Sequence, residues 1–320
     1  MDKNNLYQSK TKILIAGIGG VGGYFGGLLA KKYENHDGID IYFLSRGAHL
    51  DAIRNEGLEV KSGEEIFTTR PKLATDKAEE IGKVELIFIA TKGYDLDEII
   101  QQISPCVGSN TLIIPLLNGV NNRAKIKSLL ATDARVLEGC VYMVSRFKEP
   151  GKIVNSGGIQ SLHFGLDDGY DARLEIFEII LTDAGIDARY ERNILTVIWE
   201  KYVFLSSAAA VTTYYDLNVG KICEDEAKLD TLRSLAGEAI ELARKKGIEL
   251  SENIFDKTIS NFRFMPSEGT TSMHSDFRKN RQKTEVESLI GYVVREGEKL
   301  NVQIPTFTKV YASLKAACAN

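Results

Sequence analysis

The chain has 320 residues, which at roughly 150 residues per domain suggests two domains, and its 43% apolar and 26% charged residues exclude a disordered or fibrous protein. Lys and Arg number 40 against 44 Asp and Glu, so the net charge of −4 argues against a protein that binds nucleic acid by neutralising phosphates. The four cysteines show no CxxC spacing, and the four histidines form no HxxxH pair. We therefore expect a cytoplasmic protein without a metal site and without a nucleic-acid partner.

An apolar stretch near the N-terminus imitates a signal peptide or a short membrane span. Residues 13–30 carry no charge, but seven of these 18 positions are glycine, which adds neither side-chain hydrophobicity nor helix propensity. No small-residue cleavage motif follows, and no other segment is expected to span a bilayer. We expect no targeting segment and no membrane partner.

The first half alternates short apolar runs with helix-period segments, a pattern typical of a parallel sheet with crossover helices. Strands are predicted at residues 12–16, 39–44, 86–90, 111–115 and 135–142. Helices are predicted at residues 21–33, 48–56, 95–102, 122–130 and 174–181. Two glycines interrupt the segment 153–164, which is expected to add late antiparallel strands. The pattern predicts an α/β fold that begins with a Rossmann-type doubly wound parallel sheet.

From about residue 193 the pattern changes to long helices. The segment 195–211 is almost entirely apolar, which predicts a helix buried on most sides, and 229–246 is a further helix. One face of a later helix carries Val286, Leu289, Ile290, Val293 and Leu300. We predict a Rossmann-type domain over residues 1–193 and an all-helical C-terminal domain over residues 194–320.

Seven of the 28 glycines lie within residues 17–27, directly after the first predicted strand. The core of this stretch reads Gly17-Ile18-Gly19-Gly20-Val21-Gly22. A GxGxxG pattern alone is a weak signal, but between a strand and a helix it is typical of a loop that binds a dinucleotide. Gly17 permits a tight turn, Gly19 lets a pyrophosphate approach the backbone, and Gly22 lets helix and strand pack closely. We prefer this interpretation, with all six residues at the cofactor, to a glycine-rich turn without a ligand.

The end of the second predicted strand bears on the choice of cofactor. An NAD-specific site carries Asp or Glu there for the ribose 2′-hydroxyl, whereas this chain has Ser45 and Arg46. A guanidinium binds a 2′-phosphate in bidentate fashion, so we expect NADPH in contact with both residues. The alternative is an ordinary solvated arginine.

Two polar residues follow predicted strands at the sheet edge where ligands collect in such folds. Lys92 follows the strand at 86–90, and Asn118 follows the strand at 111–115. Each is a candidate for contact with the cofactor or the substrate. The alternative is a solvated loop residue, since Asn-Gly is common in turns.

Two charged residues of the second half lie among apolar neighbours. Lys201 falls within the predicted helix at 195–211. Its neighbours three and four positions away are all apolar: Val197, Ile198, Phe204 and Leu205. Its ammonium therefore snorkels, pairs with an acid such as the adjacent Glu200, or faces a site. Glu285 begins a later helix, where a carboxylate also suits the positive end of the helix dipole.

A hydroxyl-rich loop at residues 268–273 precedes Glu285 in the sequence. Its side chains are able to hydrogen-bond a small anion. The alternative is that Ser272 or Ser275 caps a helix. Asp276 is open to two roles, as a further cap or as a partner that orients a lysine.

Together these residues resemble the ketopantoate reductase (2-dehydropantoate 2-reductase) family over the full length of the chain. The matching segments are 13–27, 45–54, 91–92, 118–119, 199–201, 272–276 and 283–285. The resemblance implies NADPH-dependent reduction of 2-dehydropantoate to (R)-pantoate, in the pathway to pantothenate and coenzyme A. It also implies that residues 1–193 bind NADP and that residues 194–320 bind the substrate and carry out catalysis.

The resemblance assigns roles by position. Lys201 corresponds to the family's catalytic lysine and general acid, and Glu285 to the carboxylate near the substrate hydroxyl. Asn118 matches an asparagine of the binding site, Ser272 matches the serine near the substrate carboxylate, and Lys92 matches a lysine that contacts the cofactor.

The chain departs from the family on the helix that follows Lys201. Leu205 and Ala209 stand where the family usually has asparagines, and each lost amide removes a hydrogen bond worth on the order of 1 kcal/mol. Three hypotheses stay open: reduction of 2-dehydropantoate, reduction of another and less polar 2-oxoacid by a paralogue, and NADPH sensing without turnover. A homodimer also stays open, because the oligomeric state is not readable from this sequence.

Overall fold

The computed structural model describes residues 10–319. Within this range the chain forms two compact units. The first takes the residues up to 117 together with 121–194, and the second takes 118–120 together with the residues from 195 onward. The short segment 118–120 thus packs with the second unit, although the chain on either side of it belongs to the first.

The strands of the first unit include a six-stranded parallel sheet. In chain order they are β1 (Thr11–Ala16), β2 (Ile39–Leu44), β3 (Leu58–Ser62), β4 (Glu65–Thr69), β5 (Leu73–Thr75), β6 (Leu86–Ile89), β7 (Leu112–Pro115), β8 (Arg135–Val136), β9 (Glu138–Tyr142), β10 (Ser145–Glu149), β11 (Lys152–Asn155), β12 (Ser161–Gly165) and β13 (Asp187–Tyr190). Six of them pair in the order β5-β2-β1-β6-β7-β8, and every neighbouring pair is parallel. The predicted doubly wound parallel sheet is confirmed.

Helices cover both faces of this sheet. They are α1 (Gly20–Lys32), α2 (Gly47–Glu56), α3 (Leu96–Ile103), α4 (Asn122–Leu129) and α5 (Arg173–Asp183). Successive side chains of a strand point to opposite faces. In β1, Ile13 and Ile15 accordingly join the apolar core shared with α1 and α5, whereas Leu14 and Ala16 join the core shared with α3 and α4.

Two smaller sheets complete the first unit, in the orders β10-β11-β3-β4 and β13-β12-β9. The expected antiparallel strands within 153–164 exist, but β11 and β12 each have one antiparallel and one parallel neighbour. The single strand predicted at 135–142 was wrong. The chain divides at Leu137 into β8, which joins the large sheet, and β9, which leaves it. A Cβ at Gly139 would lie 2.3 Å from the Pro115 carbonyl oxygen, so glycine permits β9 to cross close to the end of β7.

From residue 194 onward the described chain is helical and contains no strand. Its elements are α6 (Ile194–Tyr215), α7 (Val219–Cys223), α8 (Glu226–Lys245), α9 (Ile254–Phe264), α10 (Ser272–Lys279), a π-helical turn (Glu287–Gly291), α11 (Tyr292–Leu300) and α12 (Pro305–Ala319). They enclose a core of their own. The predicted all-helical C-terminal region is confirmed.

One helix of the described chain, α6, is long and apolar enough to cross a membrane by length and composition. The expectation that only residues 13–30 could imitate a span was therefore wrong. However, 61% of the apolar window of α6 is buried inside the protein, as is typical of a core helix of a soluble protein.

Candidate functional site

The chain turns sharply between β1 and α1, at the predicted dinucleotide-binding loop. Gly17 has a φ of +97°, a conformation that side chains with a Cβ rarely adopt. A Cβ at Gly22 would lie 2.0 Å from the Gly17 carbonyl oxygen, so this packing of helix on loop requires glycine. A Cβ at Gly19 would meet nothing within 4 Å. The space beside Gly19 is thus open, as the approach of a pyrophosphate requires.

The first turn of α1 suits an anion. Gly20 and Val21 begin the helix, and its first turn contains no acidic residue. The unpaired amides and the positive end of the helix dipole therefore face no carboxylate of their own turn.

A cavity of about 450 Å³ opens beside this loop within the first unit. Four of the predicted cofactor residues line it: Gly17, Ile18, Ser45 and Arg46. Thr91 also lines it, and the buried Thr91 hydroxyl has no hydrogen-bond partner among the described residues. A buried hydroxyl without a partner is costly unless a ligand satisfies it. The open space, the glycine turn and this hydroxyl fit a dinucleotide.

Arg46 stands at the rim of this cavity, just before α2, with its side chain 69% exposed. Its guanidinium forms an ion pair with Glu98, and Asp76 lines the same cavity. Neither carboxylate is predictable from a local sequence pattern, because both come from segments distant in the sequence. A guanidinium at this position is able to bind a phosphate, and Glu98 would compete with such a phosphate for it.

The other six predicted cofactor residues do not line this cavity: Gly19, Gly20, Val21 and Gly22 of the glycine loop, and Lys92 and Asn118. Lys92 is partly buried and begins the short turn after β6, beside Thr91. Asn118 belongs to the second unit.

In the second unit, three of the predicted site residues form a hydrogen-bonded row. The Lys201 Nζ donates to the Asn118 Oδ1 over 3.2 Å, and the Asn118 Nδ2 lies 3.5 Å from the Glu285 Oε2. Asn118 thereby connects an ammonium to a carboxylate through the two ends of one carboxamide. Glu285 is 5% exposed, so its charge is held out of bulk water. We call this arrangement the Lys-Asn-Glu row.

The surroundings of Lys201 decide between the alternatives for its ammonium. Glu200, the adjacent acid, instead accepts hydrogen bonds from the Ser251 backbone N–H and from Lys257, each over 3.0 Å. Burial pushes the pKa of Glu200 upward, but these hydrogen bonds outweigh burial and hold the pKa below its usual range. The Glu200 carboxylate therefore binds Ser251 and Lys257, whereas the Lys201 ammonium donates to the carboxamide of Asn118.

The hydroxyl-rich loop ends in a helix cap at a residue other than the two predicted serines. Thr271 caps α10 by accepting the His274 N–H, so neither Ser272 nor Ser275 is the cap. Ser272 is the first residue of α10, and it is exposed. The imidazole of His274 is buried between the Thr270 hydroxyl and the Asp216 carboxylate, a network that no local pattern indicated.

The two positions that depart from the family pattern carry apolar side chains that pack in the core of the second unit. Ala209 is fully buried, and Leu205 packs against the same core of the second unit. These positions therefore offer a ligand no hydrogen bond.

Among residues 10–319, no group of three or more His, Cys, Asp or Glu side chains is arranged to hold a metal ion.

Comparison with protein families gives a match over both halves. The model described as ketopantoate reductase PanE/ApbA matches residues 13–169, and the model for the C-terminal part of the same family matches residues 193–317.

Individual relatives match over nearly the whole chain. The Bacillus subtilis protein described as uncharacterized oxidoreductase YkpB is 28% identical, over 95% of this chain and 98% of its own. The crystal structure of 2-dehydropantoate 2-reductase from Porphyromonas gingivalis W83 is 34% identical with a TM-score of 0.82, covering 96% of this chain and 99% of that one. A ternary structure of D-mandelate dehydrogenase with NADH and anilino(oxo)acetate shares the fold, with a TM-score of 0.83 at 23% identity over 97% and 98% of the two chains.

Proposed function

The chain belongs to the ketopantoate reductase family of oxidoreductases, and on that premise we propose that it reduces a 2-oxoacid with NADPH. The first-choice substrate is 2-dehydropantoate, and the product is (R)-pantoate. The Lys-Asn-Glu row carries this proposal, because it joins a proton donor to a buried carboxylate through one amide. We place the activity in the cytoplasm, in the synthesis of pantothenate and coenzyme A.

The residues of the glycine loop would hold the pyrophosphate, since Gly17 and Gly22 shape the turn and Gly19 leaves it open. Arg46 would bind the 2′-phosphate in exchange for its ion pair with Glu98. When bound, the nicotinamide supplies the hydride that reduces the ketone carbon. Lys92 is proposed as a further cofactor contact.

The second unit supplies the acid chemistry. We assign the Lys201 ammonium to the substrate carbonyl oxygen, where it stabilises the developing alkoxide and donates the proton that completes the alcohol. Asn118 accepts a hydrogen bond from the same ammonium and thus limits its rotation. Glu285 accepts a hydrogen bond from the substrate hydroxyl, and Ser272 donates a hydrogen bond to the substrate carboxylate. One hydride and one proton convert the ketone into the alcohol.

A second candidate is a paralogous reductase of a less polar 2-oxoacid. Leu205 and Ala209 favour it, because apolar side chains there leave substrate hydroxyls without partners. A non-catalytic NADPH sensor has no chemical need for a lysine, an amide and a buried glutamate in one row, so it is the weakest of the three.

One assay separates these candidates. Purified full-length protein is given NADPH and 2-dehydropantoate, then a panel of 2-oxoacids with aliphatic and aromatic side chains, and loss of NADPH absorbance is followed. Turnover of 2-dehydropantoate with the highest kcat/KM supports the proposal. A higher kcat/KM for an apolar 2-oxoacid selects the paralogue. NADPH binding without turnover of any compound selects the sensor. Sedimentation of the same sample tests the homodimer.

A further inference from the structure

Side chains from outside the glycine loop hold two of its backbone carbonyl oxygens. A loop that binds an anion through its amides must keep its carbonyl oxygens turned away from the ligand. Two carbonyls of this loop accept hydrogen bonds from side chains: the Ile18 oxygen from His49 Nε2 over 2.8 Å, and the Gly20 oxygen from the Ser145 hydroxyl over 2.8 Å.

The tautomer of His49 follows from its second contact. The Gly151 backbone N–H donates to His49 Nδ1 over 2.8 Å, so Nδ1 carries no proton. Nε2 therefore carries the ring proton and donates it to the Ile18 oxygen. Burial lowers the pKa of His49, with the Ile18 carbonyl acting in the opposite direction. A second proton would place an N–H of the ring against the N–H of Gly151.

Both restraints originate in the hairpin formed by β10 and β11. Ser145 is the first residue of β10, and Gly151 lies in the turn that connects the two strands. A Cβ at Gly20 would lie 2.4 Å from the Ser145 carbonyl oxygen, so the hairpin packs directly on the first turn of α1. The ring of Phe147, also on β10, meets the His49 ring edge-on at 5.0 Å between centroids. Loop, helix and hairpin thus form one packed assembly.

We propose that His49 is a positioning residue for dinucleotide binding, with the β10–β11 hairpin as its support. Neutral His49 fixes the Ile18 carbonyl, and this orients the neighbouring amides toward the pyrophosphate. The inference rests on the proposed function only in taking a dinucleotide as the ligand of this loop. Because the restraint acts on the pyrophosphate loop, it affects NADPH and NADH alike, whereas Arg46 distinguishes them.

Acid is expected to release this restraint. The charged groups that share the cavity with His49 are Arg46, Asp76, Asp95 and Glu98. The hairpin adds Arg146, Lys148, Glu149 and Lys152, of which the last two pair with each other. Both ring nitrogens of His49 are engaged by backbone groups rather than by any of these. Protonation of the ring therefore removes one hydrogen bond to the hairpin with no carboxylate in contact to compensate for it.

The test is the dissociation constant of each cofactor, measured by titration calorimetry on the full chain. His49→Ala is expected to weaken NADPH and NADH by the same factor, roughly tenfold, as for the loss of one or two hydrogen bonds. His49→Gln keeps an N–H donor near the Nε2 position, so it is expected to recover most of this affinity. It is also expected to abolish the extra loss of affinity that the wild type shows in acid. His36→Gln is the matched control, since His36 accepts a similar backbone N–H from Gly38 at the start of β2.

Equal affinities of wild type, His49→Ala and His49→Gln, with the same acid dependence, would overturn the inference while leaving the proposed function intact. If His49→Ala fails to fold, the comparison of wild type with His49→Gln across pH decides in the same way. A wild-type chain that binds neither cofactor removes the proposed function itself, and the inference with it.

Discussion

The glycine loop and the Lys-Asn-Glu row are built in opposite ways. The loop uses six consecutive residues, and its properties come from backbone amides and missing side chains. The row uses three side chains from positions 118, 201 and 285, joined by hydrogen bonds. A binding site made of backbone tolerates few substitutions within a short segment, whereas the row depends on the packing of distant segments. The two regions should therefore respond differently to mutation, the loop in affinity and the row in turnover.

The largest effect is expected at Lys201. Lys201→Met keeps the apolar stem and removes the ammonium, so kcat should fall roughly a thousandfold, as for loss of a general acid that also stabilises an alkoxide. The dissociation constant of NADPH should stay unchanged. Steady-state kinetics measures kcat, and calorimetry measures the dissociation constant of NADPH. Lys257→Met, which removes the partner of Glu200, is the control. A kcat near that of the wild type would contradict the role of Lys201.

Gly22→Ala should weaken NADPH binding and leave kcat nearly unchanged, which is the converse of the result expected for Lys201→Met. Its Cβ would lie 2.0 Å from the Gly17 carbonyl oxygen, so loop and helix must separate. Overpacking of this kind costs about 1–3 kcal/mol, which predicts up to roughly a hundredfold weaker NADPH binding. At saturating NADPH, kcat should remain close to that of the wild type. Gly19→Ala, at a position with open space, separates local strain from loss of the space for the ligand. Unchanged NADPH affinity in Gly22→Ala would mean that the ligand lies elsewhere.

Asn118→Ala should lower kcat by roughly ten- to a hundredfold. The variant leaves the Lys201 ammonium without its amide acceptor and removes the donor that faces the buried Glu285, and an unsatisfied buried group costs about 1–3 kcal/mol. Asn118→Asp is informative beside it, because it keeps an acceptor for the lysine and removes the donor to Glu285. If both variants turn over at the wild-type rate, the row has no part in the chemistry.

Arg46→Ala should affect the choice of cofactor and little else. We expect the KM for NADPH to rise roughly tenfold and the KM for NADH to change little, because we assign the guanidinium to the 2′-phosphate, which NADH lacks. Glu98→Gln should act in the opposite direction, since it frees Arg46 from its ion pair. Equal effects of Arg46→Ala on both cofactors would refute this role.

The smallest effect concerns stability in acid. Burial lowers the pKa of His49 in the folded chain from its ordinary value of 6.5. Below pH 6.5 the unfolded chain therefore binds more protons than the folded one, and the stability contributed by neutral His49 is lost as the pH falls. Denaturant unfolding above and below this pH should show a steeper decline for the wild type than for His49→Gln. Parallel declines would show that His49 has the same pKa in the folded and the unfolded chain.

The parts of the molecule that were predictable from sequence are those with local causes. β1, the glycine turn and α1 follow from an apolar run, a GxGxxG spacing and a helical segment that are contiguous. β3, β4 and β10 were not predicted, because each carries only one or two apolar residues. Their sheet forms only when the hairpin β3–β4 pairs with the hairpin β10–β11, about 90 positions further along the chain, through β3 and β11.

The three residues of the Lys-Asn-Glu row were predicted from the sequence, but the hydrogen bonds that connect them were not. A lysine among apolar neighbours was visible at position 201, whereas its bond to Asn118 depends on the packing of segment 118–120 with a helix 83 positions away. The pairing of Arg46 with Glu98 was equally invisible, because it joins a residue just after β2 to one on α3. The cap at Thr271 was missed by one position, as hydroxyl-rich segments offer several equivalent candidates.

The assignment of residues 118–120 to the second unit affects how this protein can be dissected. A fragment that starts at residue 194 would contain both the lysine and the glutamate, yet it would lack the carboxamide that connects them. Exchanging C-terminal halves between homologues would likewise pair a foreign lysine with the resident asparagine. The two halves are therefore not independent modules, because residues 118–120 lie in the first half of the sequence but belong to the second unit.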